Sequence, residues 1–439
     1  MDHHRDVESL DLDLALVALL VVGFGLVSAR AARSLVSGPM AFVAFGILIG
    51  GEGLDLLGVE VDAAILEVLA EVTLALVLFT DATRIDLREA RKDASLPGRL
   101  LGIGMPLTIA AGLGVGLLLL TDLRVWEAAL LAAVLAPTDA ALGQAVVTDR
   151  SIPVRIRQSL NVESGLNDGI AAPVVTVCLA LAAVEIDSGS AGTWVRFGLE
   201  QIGFGLAVGV TTGALGGWLL RTCSARGWVT GTFRQLSTMA VALVAYGFAG
   251  AAGGNGFIAA FTAGIAFGFV ARDLTDEIEE FAEDEGQLLT LLTFLFFGAS
   301  LAGPALGDIT WRIVAYAVLS LTLVRAVPVA LSQLGAGLRR ETVALMAWFG
   351  PRGLASIAFV LMVLEEADLP GAETIRLTVT CTVLLSVVAH GVSARPLARA
   401  YGRRMAAAQR HDEEMPEHRP SPELPTRAGS APPPARADG

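Results

Sequence analysis

The chain has 439 residues and a formal charge of −13; 54% of its residues are hydrophobic and 17% charged, and its mean hydropathy is strongly positive. That balance excludes an ordinary soluble globular domain. Apolar stretches of about 20 residues recur from end to end, each long enough to cross a hydrocarbon core roughly 30 Å thick as a helix, and they lack the polar/apolar alternation of barrel strands.

In chain order, a polar external segment (1–12) precedes about 13 spans by length and hydropathy, centred near Leu20, Ile47, Ala75, Ile109, Pro137, Ile170, Leu206, Leu243, Ala263, Phe294, Leu319, Pro351 and Leu384. The pair flanking Gly250 to Asn255 is joined so tightly that it reads almost as one. If the N-terminus is outside, the inner connections and tail hold 24 of the 31 Lys and Arg residues and the outer ones only Arg5, Arg124, Arg196, Arg312 and Arg376, while Arg325 and Arg352 fall inside spans. This asymmetry follows the positive-inside rule and places the C-terminus in the cytoplasm. The first residues do not resemble a cleavable signal. Cys178, Cys223 and Cys381 are scattered, as packing residues are, and suggest neither disulfides nor a metal site. The acidic run 273–285 carries Ile278 and Phe281 at helical spacing, which predicts an amphipathic surface helix. Residues 405–439, rich in Pro, Ala and charge, predict a disordered tail. No soluble catalytic domain, phosphate loop or cofactor motif is recognisable, so no enzyme activity and no cofactor are expected.

Two spans carry a proline at mid-length beside a charge: "LLAAVLAPTDAALGQAVV", with Pro137, Thr138 and Asp139, and "VALMAWFGPRGLASIAFVLMV", with Pro351 and Arg352. Proline removes a backbone donor and clashes with the preceding turn, so each span should break there. Broken helices at membrane depth are tolerated only where protein covers them or a cavity is lined. They are the fifth and twelfth spans, in triplets that start on opposite sides of the membrane, as inverted repeats of secondary transporters do.

The stretch "NVESGLNDG" (161–169) opens an otherwise apolar span. Asp168, Asp139 and Arg352 should lie about 12 to 17 Å deep, where a charge costs at least about 2.5 to 3.5 kcal/mol and marks an ion or proton pathway. Ser164 and Asp168, four apart, share one helical face; Glu163 and Asn167 share the adjacent one. Hydroxyl and carboxylate oxygens suit a hard monovalent cation, and carbonyls freed by the break near Thr138 would add more. Glu163 reads as the buried ion-pair partner of an intramembrane arginine, Arg352 or Arg325. A desolvated Asp168 would hold a proton or a cation in competition, which gives antiport by alternating access.

These motifs resemble bacterial cation/proton antiporters of the NhaP and sodium/hydrogen exchanger family. The resemblance rests on "APTDAA", on "NVESGLNDG", on "WFGPRGLASIAF" around Arg352 and on "VRAVPV" around Arg325, and extends to about Arg404. It implies Asp168 as the exchanging carboxylate, Asn167 as its structural neighbour, and Ser164 and Thr138 as ion contacts. Asp139 would be a second ligand or a helix-dipole compensator, and Glu163 an arginine partner. It also implies ion-binding core helices over about 96–184 and 310–395 that move against dimerisation helices over about 13–83 and 194–303. A homodimer in the inner membrane, and electroneutral exchange from the Asn-Asp pair, complete the expectation. Asp81, in "LVLFTDATRIDL", either reaches the ion site or is a solvated helix-end residue. His390 invites a pH-sensor reading, ranked below packing. The substrates expected are Na+, Li+ or K+ and protons, with no nucleic acid. A K+/H+ antiporter and a sodium-coupled solute symporter are the alternatives; an intramembrane aspartyl protease lacks its flanking motifs, and a channel fits two broken repeats less well.

Overall fold

A computed structural model describes residues 2–31, 34–54, 56, 63–84, 95–186, 191–366, 368–409 and 415–419; of 2–13, 63–64, 191, 275–284 and 366 only the backbone is described. Among these residues all regular structure is helical. The helices are α1 (Asp2–Ala31), α2 (Gly38–Ile49), α3 (Ala63–Thr83), α4 (Ser95–Leu119), α5 (Val125–Val134), α6 (Ala140–Val147), α7 (Val154–Ile186) and α8 (Ala191–Ala225). There follow α9 (Gly231–Ala251), α10 (Gly256–Val270), α11 (Thr275–Phe297, prolonged by a π-turn to Ala305), α12 (Trp311–Ser332), α13 (Arg340–Trp348), α14 (Leu354–Glu366) and α15 (Ala372–Gln409). Seven of the described helices are long and apolar enough to cross a membrane, so the chain is an all-α integral membrane protein.

Local chemistry sets the boundaries. Ser37 accepts from the Met40 amide at the start of α2, and Asn255 caps α10 by accepting from the Phe257 and Ile258 amides, both at 3.0 Å. The tight join between α9 and α10 is thus a genuine turn, with Gly253 in the left-handed region (φ +79°) and Asn255 starting a new helix. Gly209 and Gly213 of α8 lie against α10 so closely that a Cβ would stand 2.0 Å from Thr262 Oγ1 and 2.1 Å from the Ala263 carbonyl respectively. Such small-residue contact is how helices associate without a hydrophobic driving force. On its other side α10 lays Gly264 and Gly268 against the Phe79 and Thr83 carbonyls, which fixes the end of α3 that carries Asp81.

Two helix triplets match: α4, α5–α6 and α7, then α12, α13–α14 and α15. They run in opposite senses. Arg99 at the start of α4 donates to the Leu334 carbonyl just past α12 (2.7 Å), whereas Arg312 at the start of α12 donates to Thr121 just past α4 (3.2 Å). Both middle members are broken, the first between Val134 and Ala140 and the second between Trp348 and Leu354, as the two prolines predict.

The tail departs from expectation. Helix α15 continues past Arg404 to Gln409, and Met415 and Glu417 are buried, so order does not stop at residue 404. Glu417 Oε1 accepts from the Arg339 amide (2.8 Å) and the Thr342 hydroxyl (2.9 Å), capping α13, and the Pro416 carbonyl accepts from Arg155 of α7 (2.8 Å). A carboxylate at a helix N-terminus and a cation at a carbonyl supply what the bare sequence composition hid. Residues 410–414 and 420–439 lie outside the described residues. In the acidic run the backbone is helical from Thr275 onward; the side chains of Ile278 and Phe281 are outside the description.

Candidate functional site

Each broken span leaves a carbonyl end and an amide end in the apolar interior, and at membrane depth these have no water to turn to. The two breaks solve this by crossing. The Asp139 amide donates to the Pro351 carbonyl (2.7 Å), joining them directly. Asp139 Oδ1 accepts from the amides of Ala141 (2.7 Å) and Leu142 (3.3 Å), capping α6, while its Oδ2 accepts from the Leu354 amide (2.7 Å) at the start of α14. One carboxylate therefore serves the N-termini of two half-helices, where the macrodipoles favour negative charge.

Arg352, fully buried, does the converse. Its Nη1 donates to the Ala136 carbonyl and to the Pro137 carbonyl (2.9 Å), closing the C-terminal end of α5, and Ser356 Oγ adds a bond to the Val134 carbonyl (2.9 Å). This changes one expectation and decides one alternative. The carbonyls of the first break are taken by a guanidinium rather than left for a cation. And Arg352 is not the hydrogen-bonded partner of Glu163: that ion pair is made by Arg325 of α12, whose Nη1 lies 2.5 Å from Glu163 Oε1, both side chains 3% exposed. Gly353 is required at the crossing, since a Cβ there would stand 2.0 Å from Asp139 Oδ2.

Beside the crossing, α7 presents its polar face. Ser164 Oγ lies 3.0 Å from Thr138 Oγ1, and Asn167 Nδ2 donates to Thr138 Oγ1 at 2.6 Å. The predicted residues Thr138, Ser164 and Asn167 are thus one hydrogen-bonded group, with Asp139 next in sequence to the first and Asp168 next to the last. Asp168, one turn beyond Ser164, is 6% exposed. Gly169 leaves room for the Phe261 ring of α10, which a Cβ would overlap, and Pro173 cannot donate to the carbonyl four residues back, so α7 is locally loosened one turn past Asp168.

Asp81 is not a solvated helix-end residue. It is 9% exposed, two residues inside the end of α3, and abuts α7: a Cβ on Gly165 would lie 3.6–3.7 Å from the Asp81 side chain. It also lines a cavity of about 500 Å³, which includes Ser37 and Thr290 on one wall and Ala141, Gln144 and Gly391 on the other. Among the described residues the carboxylate lining this cavity is Asp81, which lies against Gly165, the residue after Ser164.

Residues 15–400 match the family described as sodium/hydrogen exchanger, transmembrane. The chain belongs to that family. As a member it is a secondary transporter that exchanges monovalent cations for protons, and not an enzyme. It is 24% identical over 396 residues to the K(+)/H(+) antiporter NhaP2 of Shewanella baltica, covering 90% of this chain and 67% of that one. It is 25% identical over 298 residues to the Na(+)/H(+) antiporter of Schizosaccharomyces pombe, covering 60% and 62% respectively. Its fold superposes on the sodium proton antiporter MjNhaP1 of Methanocaldococcus jannaschii with a TM-score of 0.72 at 22% identity, covering 90% of this exchanger and 99% of that chain.

Two parts of this site carried no clear sequence signal. The Leu354 amide is a backbone group, invisible to side-chain motifs, whereas the carbonyls freed by the first break were announced by Pro137. Ser386 and His390 of α15, which contact the second break, sit in an apolar span where polar side chains more often bond their own helix.

Proposed function

We propose that this exchanger moves Na+ in one direction and H+ in the other across the inner membrane, with Asp168 as the carboxylate for which the two compete. The observation that carries the reading is the Thr138–Ser164–Asn167 hydrogen-bonded group set against the crossing, one residue from Asp168 and one from Asp139. Hydroxyl and carboxylate oxygens are the ligands a hard cation takes. Thr138, Ser164 and Asp168 coordinate the ion, Asp139 balances the half-helix ends and stands by as a further ligand, Asn167 orients Thr138, and Asp81 receives ions from the cavity. Glu163 and Arg325 are a fixed pair that carries no ion.

The arginine-rich end faces the cytoplasm, by the positive-inside rule. Core helices over about 96–184 and 310–395 rock against dimerisation helices over about 13–83 and 194–303 in a homodimer. The walls of the cavity support this division, with Asp81 and Thr290 from one set and Ala141 and Gly391 from the other. Crossing only when Asp168 is loaded gives strict exchange, which the single aspartate beside Asn167 makes electroneutral, and the cell gains control of internal pH and sodium.

The test is transport in vesicles with an acidic interior: added sodium should alkalinise the lumen in the wild type, and Asp168→Asn should abolish the response at every sodium concentration. An active Asp168→Asn protein removes Asp168 from the role. Potassium is the second substrate to try, because the Shewanella relatives bear the name K(+)/H(+) antiporter; a response to potassium alone replaces Na+ by K+ in the proposal. Imposing a membrane potential tests electroneutrality, since a one-for-one exchange is indifferent to it.

A further inference from the structure

The crossing has four half-helix ends. Asp139 serves the amide ends of α6 and α14, and Arg352 with Ser356 serves the carbonyl end of α5. At the fourth, the carbonyl end of α13, the Trp348 carbonyl accepts from the Gly350 amide (2.9 Å), and among the described residues no arginine donates to it: the Arg325 side chain lies against Gly350 and is paired with Glu163.

We propose that His390, with Ser386, is the positioning residue that closes this fourth end and thereby sets the geometry of the cation site. His390 Nε2 lies 2.9 Å from the Trp348 carbonyl, the last of α13. Nδ1 lies 3.0 Å from the Ser386 carbonyl as well as facing Ser386 Oγ, so each ring nitrogen has a carbonyl within reach; the proton is assigned to Nε2 because only that tautomer donates to the break, with Nδ1 then an acceptor. Ser386 Oγ lies 3.2 Å from Nδ1 and supplies the hydroxyl proton, and in turn accepts from the Arg352 amide at 2.7 Å. In this tautomer the bonds run from Arg352 N–H to Ser386 Oγ, from Ser386 O–H to His390 Nδ1 and from His390 Nε2–H to the Trp348 carbonyl. Two side chains one helical turn apart on α15 hold both sides of the break at residues 348 and 352.

Both are fully buried. The Trp348 ring packs on the imidazole, centroids 5.2 Å apart, and its Nε1 donates to Ser393 Oγ at 2.9 Å, so the clamp is anchored from a third position on α15. The charged groups facing it are cationic, Arg352 of the break and Arg325 of α12. A neutral donor therefore fits where a second guanidinium or an ammonium would be repelled.

The effect on transport is indirect and rests on the reading of Thr138 and Asp168 as the cation site. Between the clamped residues stand Pro351, which accepts from the Asp139 amide, and beyond them Leu354, which donates to Asp139 Oδ2. Loosening 348–352 therefore shifts Asp139 and its neighbour Thr138, which alters cation affinity before it alters turnover.

The experiment compares His390→Leu, His390→Gln and Ser386→Ala in the vesicle assay, with sodium and potassium each titrated and the amount of folded protein normalised. Leucine fills the space but donates nothing, whereas glutamine brings an N–H to the place of Nε2. Expected are an apparent KM for the cation raised about tenfold in His390→Leu and about threefold in Ser386→Ala, Vmax within about twofold of wild type in both, and return to within about threefold of the wild-type KM in His390→Gln, magnitudes consistent with losing one of the two hydrogen bonds on the buried Trp348 carbonyl, the other coming from the Gly350 amide. If leucine and glutamine behave alike, or Vmax falls with KM unchanged, His390 is only a packing residue and the proposal is overturned. Should His390→Leu not fold, Ser386→Ala decides by the same split, a wild-type KM overturning the proposal. Asp168→Asn in parallel separates the two ideas, because an active Asp168→Asn protein sinks the site assignment while the KM comparison at His390 still reads on its own terms.

Discussion

The first broken span brings an acid to the crossing and the second a base, and neither charge is confined to its own helix. Asp139 gives one oxygen to α6 and the other to α14; Arg352 reaches across to the carbonyls of the first break. Each charge has the sign that the half-helix ends it touches require. The contrast with Asp168 is instructive. Asp139 has both oxygens committed to backbone amides, whereas Asp168 stands in α7, unbroken from Val154 to Ile186, where no helix end requires a carboxylate. Asp139 is fixed by three backbone amides at the starts of two half-helices, and we propose exchange at Asp168, beside the Thr138–Ser164–Asn167 group, rather than at Asp139.

The comparison of the two breaks can be attacked directly. Exchanging the charges, Asp139→Arg with Arg352→Asp, would put each sign against the wrong helix ends, and Arg352→Met alone leaves the carbonyls at 136 and 137 without their donor. For Arg352→Met we expect a loss of about 3–5 kcal/mol, seen as little monodisperse protein and a lowered thermal midpoint; normal yield would show that another group supports those carbonyls. Next in size is the Glu163–Arg325 pair. Either Glu163→Leu or Arg325→Met alone should cost nearly as much, because each strands a buried charge, while the double variant should recover most of it in a double-mutant cycle. Additive losses would mean that the two residues act separately.

Gly353→Ala is milder. Its methyl must displace the Asp139 carboxylate, and an overpacking cost of about 1–3 kcal/mol should appear both in stability and in a weaker apparent cation affinity. Gly143→Ala is the matched control on α6, with no atom within 4 Å of the new methyl, and should leave both unchanged. Smallest is Ser356→Ala, which removes one bond to the Val134 carbonyl and should cost about 0.5–1.5 kcal/mol with transport preserved. A Ser356→Ala loss larger than that of Gly353→Ala would reverse the weight we give the two sides of the crossing.

How far the sequence led can be seen in these same residues. Pro137 and Pro351 announced both breaks, because proline's missing amide is a local fact. Thr138 and Ser164 as joint contacts came from the family resemblance, whereas helical spacing set Asn167 on the face of Glu163, so its bond to Thr138 was not foreseen. The choice of Arg325 over Arg352 for Glu163 was not legible either, since both lie in spans and only the three-dimensional placement of Arg325 beside Glu163 decides it. Asp81 was ambiguous for a similar reason: distance from a helix end says nothing about a neighbour, and it is Gly165 on a different helix that brings α3 close enough to bury it. Glu417 escaped entirely, for a composition rich in Pro and charge does not show that one acidic side chain caps a helix far upstream.

That last contact bears on the order in which the molecule can be finished. Arg339 and Glu417 are 78 residues apart in the chain. Loop closure over such a span is slow compared with forming a helix. During synthesis α13 therefore enters the bundle with its first amides unsatisfied, and α7 with Arg155 lacking its Pro416 carbonyl, until α15 is in place and the segment after it folds back. The basic end of the broken triplet is completed from behind, by a residue made long after the helix it caps.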